Sequence, residues 1–340
     1  MKFELGLLTR DPAAAGERAA QIERLGFDGT FSFEGPHGPF QPLVLAATAT
    51  DRIELSTAIA VAFARSPMTT AQEAGDLQRI SAGRFRLGLG SQIRAHIERR
   101  FSMPWSQPAA RMREYVLAIR AIWQTWATGE PLAFQGEFYR HDLMPPFFNP
   151  GPNPFGDPPI AVAGVGEKMV AVAGEVADEL PIHPFHTPAH LAAATLPAFA
   201  RGLSASGRTR EDVTVTCQTM VMIGRDDEQI AVARQRCRAQ LAFYGSTPAY
   251  RGVLEHHGYG DLQPELRQMT RDNRWTGMAA LIDDELVDLV GVSGTPEQVG
   301  RAIVVRNGGF ADRTAFVLYN EAGEDALPEL LDAARAAGSP

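Results

Sequence analysis

The chain has 340 residues, 45% hydrophobic and 21% charged, enough to bury a large core within one elaborated domain. Its 32 basic and 40 acidic residues leave a formal charge of −8, which argues against general attraction to nucleic acid or anionic membranes and requires any anionic ligand to be held locally. Cys217 and Cys237 form no disulfide framework or metal-ligand spacing, no apolar run reaches membrane-spanning length, and MKFELGLLTR has no secretory or transit pattern, so a reduced, cytoplasmic protein is expected.

Residues 3–8 read as a short strand. Asp11-Pro12 opens a helix whose Ala19, Ile22 and Leu25 recur at helical spacing until Gly26 ends it. Residues 29–33 make a second strand and 42–50 a second helix. Residues 53–92 then present a whole strand, loop, helix and strand. Ile53, Leu55 and Thr57 interleave with small residues, Arg65-Ser66-Pro67 caps a helix over 68–80, and Ser81-Ala82-Gly83 returns the chain into a strand at 85–89.

An insertion at about 91–108 is expected to be irregular and to sit over a barrel mouth, and a long helix follows at 109–128. A second insertion, 129–158, contains the Pro- and Gly-rich stretch NPGPNPFGDPP and reads as a long surface loop. Strands at 159–163, 179–182, 213–223 and 314–319 alternate with helices at 168–173, 188–206, 228–243 and 296–306. A third insertion, 247–284, is helical and lacks strand character.

Eight strands alternating with helices predict an α/β fold, a (β/α)8 TIM barrel with insertions, forming one domain over 1–340. A doubly wound open sheet alternates in the same way, but no G-x-G-x-x-G opens the first helix. Barrels carry out their chemistry at strand carboxyl ends. Here those ends are Ala58-Ile59-Ala60-Val61 and Gly90-Ser91-Gln92.

The segments GFDGTFSFEG, IELSTAIAVAFARSP, SAGRFRLGLGSQ and PPIAVAGVGEKMVAVAGEVADE stand in the order and spacing of bacterial luciferase-like proteins, and the chain resembles that superfamily along its whole length. Within it, the chain is similar to the actinobacterial oxidoreductases that use the deazaflavin coenzyme F-420. The resemblance implies hydride transfer between the deazaflavin C5 carbon and a small organic substrate such as an alcohol, imine or enoyl group. Two alternatives stay open: a monooxygenase using reduced FMN from a partner flavin reductase, and a non-catalytic flavin- or deazaflavin-binding protein. A homodimer is the family expectation.

The same resemblance implies site residues. Ala58 and Ile59 match a bulge, often with a non-proline cis peptide, that backs the flat ring; the plainer reading is a buried strand of small side chains. Gly164, Val165, Gly166 and Lys168 match a cradle for the cofactor phosphate, with glycines admitting close backbone approach and a helix N-terminus favouring an anion. Glu167 would bring a negative charge close to it. Ser91 and Gln92 are candidates to donate hydrogen bonds to the ring or its polyol chain.

Relatives that oxidise sugar phosphates or alcohols place a histidine just after the second strand. Here His37 lies two residues beyond that position, with Glu34 near enough in sequence to tune it as an acid or base. Ile93 stands where some relatives carry a glutamate, which argues against the sugar-phosphate reaction. Arg94 and His96, beside Arg99 and Arg100, are candidates to hold the anionic cofactor tail or a substrate carboxylate. His183, in His183-Pro184-Phe185-His186, is a candidate for the substrate pocket or for packing. With no further ligands at metal spacing, no metal is expected.

Overall fold

A computed structural model describes residues 1–319 and 321–338. Its strands in chain order are β1 (Lys2–Gly6), β2 (Gly29–Ser32), β3 (Glu54–Thr57), β4 (Ala60–Val61), β5 (Phe85–Gly90), β6 (Phe134–Gln135), β7 (Arg140–His141), β8 (Ile160–Val162), β9 (Glu179–Ile182), β10 (Thr214–Ile223), β11 (Gly291–Gly294) and β12 (Arg313–Leu318). The fold is a (β/α)8 barrel whose staves are β1, β2, β3, β5, β8, β9, β10 and β12. The described residues divide into two compact units.

One unit comprises residues 6–181 and 198–214. Its parallel sheet runs β2, β3, β5, β8, β9, and all six residues of β5 are buried, as expected of a strand covered on both faces. The helix Pro67–Ile80 starts where the sequence predicts: Ser66 Oγ accepts from Thr69 N at 3.1 Å, and Pro67 takes the first helical position, where a missing N–H costs nothing. The helix Pro108–Thr128 buries Met112, Tyr115, Ile119 and Trp123 and ends at Gly129 with φ +75°. It is keyed to its neighbour by the Trp123 indole, which donates to Ala71 O at 3.1 Å, and by the Tyr115 hydroxyl, which donates to Ser66 O at 3.1 Å.

The second unit comprises residues 1–5, 182–197 and those from 215 onward. Here β1 pairs with β12, β12 with β10, and β10 with β11, all parallel. Phe185, Met220, Met222, Cys237, Leu241, Leu254 and Leu286 belong to one buried cluster that joins the sheet to the helical insertion at 247–284.

Four elements depart from the sequence expectation. β11 is an added strand whose Gly291 pairs with Met220; four residues bounded by glycines carry too little periodicity to announce it. β6 and β7 form a small antiparallel hairpin inside the 129–158 insertion. The insertion at 91–108, expected to be irregular, contains the helix Arg94–Arg99, anchored by fully buried Ile97.

Candidate cofactor site

Four neighbouring strand ends of the first unit come together. Between Leu55↔Phe85 and Ala60↔Leu89 the β3/β4 register against β5 slips by one, so residues 58–59 form a bulge with one extra residue on their strand. The Ala58–Ile59 peptide is cis, as the resemblance implies. On one side, β2 grips the bulge: Ala58 N donates to Ser32 O at 2.8 Å and Glu34 N to Ile59 O at 3.0 Å. On the other lies β5, where a Cβ on Gly90 would stand 2.8 Å from Ile59 Cγ1 and Cδ1, so any larger residue there forces the Ile59 side chain to shift. β8 continues the row, with Ala163 N donating to Leu89 O at 2.9 Å.

The segment after β8 leads into the helix Glu167–Val176, which no side chain caps. The first-turn amides of Glu167 and Lys168 have no acceptor among the described residues, and a Cβ on Gly166 would meet nothing within 4 Å. That combination leaves unpaired amides beside open space at a helix N-terminus, which suits an anion. Gly164 is needed for a different reason: a Cβ there would come within 2.9 Å of Val170 N. The negative charge feared from Glu167 is paired, since its carboxylate accepts from Arg201 Nη2 at 2.6 Å. Lys168 is exposed.

Ser91 and Gln92 lie half-buried at the β5 end. Gln92 adopts a left-handed conformation, φ +59°, and its Oε1 accepts from Ile93 N at 2.9 Å, leaving its amide NH2 without an acceptor among the described residues. The Ser91 hydroxyl donates to Gln92 O at 3.1 Å, so the hydroxyl proton is already used within the loop.

The expected pairing of Glu34 with His37 does not form. Glu34 Oε2 accepts from Val61 N at 2.7 Å and Arg65 Nη1 at 2.6 Å, and Oε1 accepts from Arg65 Nη2 at 3.1 Å, so both carboxylate oxygens are engaged away from the histidine. His37 is exposed on the loop after β2 and makes no hydrogen bond among the described residues. Arg65 is the site residue that sequence reasoning missed. The only signal was a charged residue directly before a helix cap, inside an otherwise apolar stretch.

Arg94 and His96 lie on the insertion helix, both exposed, and Arg94 Nε pairs with Glu98 Oε1 at 2.9 Å. The insertion is tied to this unit at several points. The Arg100 guanidinium donates to Gly35 O, Trp105 meets the Phe63 ring edge-on at 5.9 Å, and Arg111 Nη1 donates to Pro104 O at 2.7 Å.

His183 belongs to the second unit. Its ring stacks on Tyr250 at 4.5 Å and meets Tyr244 edge-on at 4.6 Å, while Nδ1 accepts from Phe185 N at 3.1 Å. Burial, reinforced by His186, pushes its pKa down to about 3, so it offers a neutral ring to an aromatic cluster rather than a cation to an anionic tail. His186 is lowered to about 3 by burial and by Arg306. Its Nδ1 donates to His183 O at 2.9 Å, and its Nε2 lies 3.2 Å from the Cys217 thiol, which burial raises to about 12. Among the described residues no three His, Cys, Asp or Glu side chains are grouped to hold a metal, and no helix is long and apolar enough to cross a membrane.

The family model described as luciferase-like monooxygenase matches residues 4–313. The chain belongs to the luciferase-like family. It is 49% identical over 308 residues to an uncharacterized protein of Mycobacterium tuberculosis, with 91% of each chain covered. It is 30% identical over 310 residues to a putative coenzyme F-420-dependent oxidoreductase of the same organism, covering 86% of this chain and 87% of that one. Among solved structures, the F-420-dependent tetrahydromethanopterin reductase from Methanopyrus kandleri superposes with a TM-score of 0.80 at 20% identity, covering 97% of this chain and 96% of that one, a likeness of fold.

Proposed function

We propose that this luciferase-like protein is an oxidoreductase that uses coenzyme F-420 and moves hydride between the deazaflavin C5 carbon and a small organic substrate. The observation that carries the reading is the row of strand ends in one unit: a bulge packed on Gly90, next to an uncapped helix start with an open glycine. The first feature suits a flat ring and the second a phosphate. The relative named as an F-420-dependent oxidoreductase supports the same cofactor.

In this reading the backbone at Ala58-Ile59 lies against the ring, and the Gln92 NH2 donates to it. The Gly164-Val165-Gly166 turn and the Glu167 and Lys168 amides hold the phosphate, with Lys168 adding a point charge. Arg94 and His96 bind the anionic tail or a substrate carboxylate. When bound, F-420 supplies a carrier that gives or takes hydride at C5. His37 is exposed after β2 with no hydrogen bond among the described residues, and in this reading it holds the proton that an alcohol substrate loses or a carbonyl substrate gains. A cytoplasmic homodimer is part of the proposal.

The description of the matching family favours a second reading, monooxygenation with reduced FMN supplied by a flavin reductase. Anaerobic incubation with oxidised F-420 and a panel of alcohols separates the two. Loss of deazaflavin absorbance with a carbonyl product supports the proposal. No reduction with any substrate, together with an oxygenated organic product formed from reduced FMN and O2 only when the protein is present, refutes it.

A further inference from the structure

The position of Glu34 near His37 suggests an acid or base, yet its surroundings suit a different task. Its carboxylate is enclosed, with the side chain 6% exposed, and it accepts from Val61 N and from both terminal nitrogens of Arg65. Arg65 Nη1 also donates to Val61 O at 3.1 Å, so the Glu34 and Arg65 side chains close a hydrogen-bonded ring around the Val61 backbone. The Glu34 backbone completes the grip by donating to Ile59 O at 3.0 Å. Arg65 is held in turn by Glu73, with Nε to Oε2 at 3.5 Å, and by the Phe40 ring 5.4 Å from its guanidinium carbon.

A bulge leaves the sheet ladder one residue out of step, so backbone groups beside it that face away from β5 need partners from elsewhere. Here one charged pair serves both the N–H and the C=O of Val61. Charge-assisted, forked hydrogen bonds of this kind are the strongest that side chains offer for fixing a backbone segment.

We infer that Glu34 and Arg65 form a clamp on Val61 that sets the position of the 58–59 bulge just before it, with Glu34 acting as a positioning residue and taking no proton in the reaction. The inference rests on the proposed function only where it takes this bulge as the backing of the cofactor ring. Glu34→Gln keeps an oxygen for Val61 N and Arg65 Nη1 but loses the negative charge and sets an NH2 donor against Nη2, whereas Glu34→Ala removes every acceptor.

The first test uses the full chain without cofactor. Hydrogen–deuterium exchange over residues 58–64 rises about tenfold in Glu34→Ala and in Arg65→Ala, and about threefold in Glu34→Gln, with exchange over 215–223 unchanged. Unchanged exchange over 58–64 in Glu34→Gln and in either alanine variant that folds overturns the clamp. If the alanine variants do not fold, Glu34→Gln alone decides.

The second test is turnover. A positioning role predicts that Glu34→Gln weakens F-420 binding in step with the rise in exchange, while kcat at saturating cofactor falls by less than about tenfold and the pH profile is unaltered. A loss of about 10²-fold or more in kcat at unchanged cofactor affinity marks a general acid or base and overturns the inference. If the wild-type protein takes no F-420, the functional reading fails while the exchange measurement still decides the clamp.

Discussion

Ile59 and Gly90 share one space: a methyl group on Gly90 would stand 2.8 Å from both Cγ1 and Cδ1 of Ile59. The two residues sit on adjacent strand ends, so the side chain of the bulge is seated on the bare backbone of its neighbour. Gly90→Ala must displace Ile59, at a cost of about 1–3 kcal/mol for overpacking. Denaturant unfolding should show that loss, and F-420 affinity should fall about tenfold as the bulge shifts. An alanine variant with wild-type affinity would mean that the bulge does not touch the cofactor.

Gly166 offers the opposite case, because a Cβ there meets nothing in the protein. Gly166→Ala should therefore cost at most about 1 kcal/mol of stability, from the weaker N-cap residue. It should still weaken binding of the phosphate-bearing cofactor about tenfold by placing a methyl group in the space beside the unpaired amides. A deazaflavin nucleoside lacking the phosphate should bind both proteins equally; equal weakening would place the phosphate elsewhere.

Much of this arrangement is legible in the amino-acid order and some is not. The repeat over 53–92 is plain because Ser66-Pro67 caps its helix and LGLG marks a strand too crowded for side chains. Strand β9 is readable from four apolar or paired residues between helices. The Glu34–Arg65 clamp is not, since its partners are 31 positions apart and each has an ordinary local role, one in a loop and one before a cap. His37 illustrates the converse: proximity in sequence suggested a pair with Glu34, but the stronger bidentate partner takes the carboxylate.

His37→Gln tests the proton assignment. If His37 serves as acid or base, kcat falls by about 10²–10⁴ while cofactor affinity and thermal stability stay at wild-type values. Steady-state kinetics with an identified substrate, alongside a binding titration, checks this. Unchanged kcat would remove His37 from the reaction.

Acid should destabilise the second unit through two buried histidines. His183 and His186 are held neutral in the fold down to pH about 3, whereas in the unfolded chain they protonate near 6.5. Between those values the unfolded state binds more protons, so stability is full above pH about 6.5 and falls as pH drops, by up to about 1.4 kcal/mol per pH unit for each ring. Urea unfolding at pH 7, 6 and 5 measures the slope. His183→Phe, which keeps the ring stack with Tyr250, should remove about half of this histidine contribution. A wild-type protein equally stable at pH 7 and 5, or an unchanged slope in the variant, would contradict this account.

The most direct measurement is a fluorescence titration of the purified protein with oxidised F-420 and, separately, with oxidised and reduced FMN. The account predicts micromolar binding of the deazaflavin, weakened in Gly90→Ala and Gly166→Ala, and much weaker binding of either form of FMN. Preference for reduced FMN, or no binding of F-420, would contradict it and turn the search to oxygen-dependent chemistry.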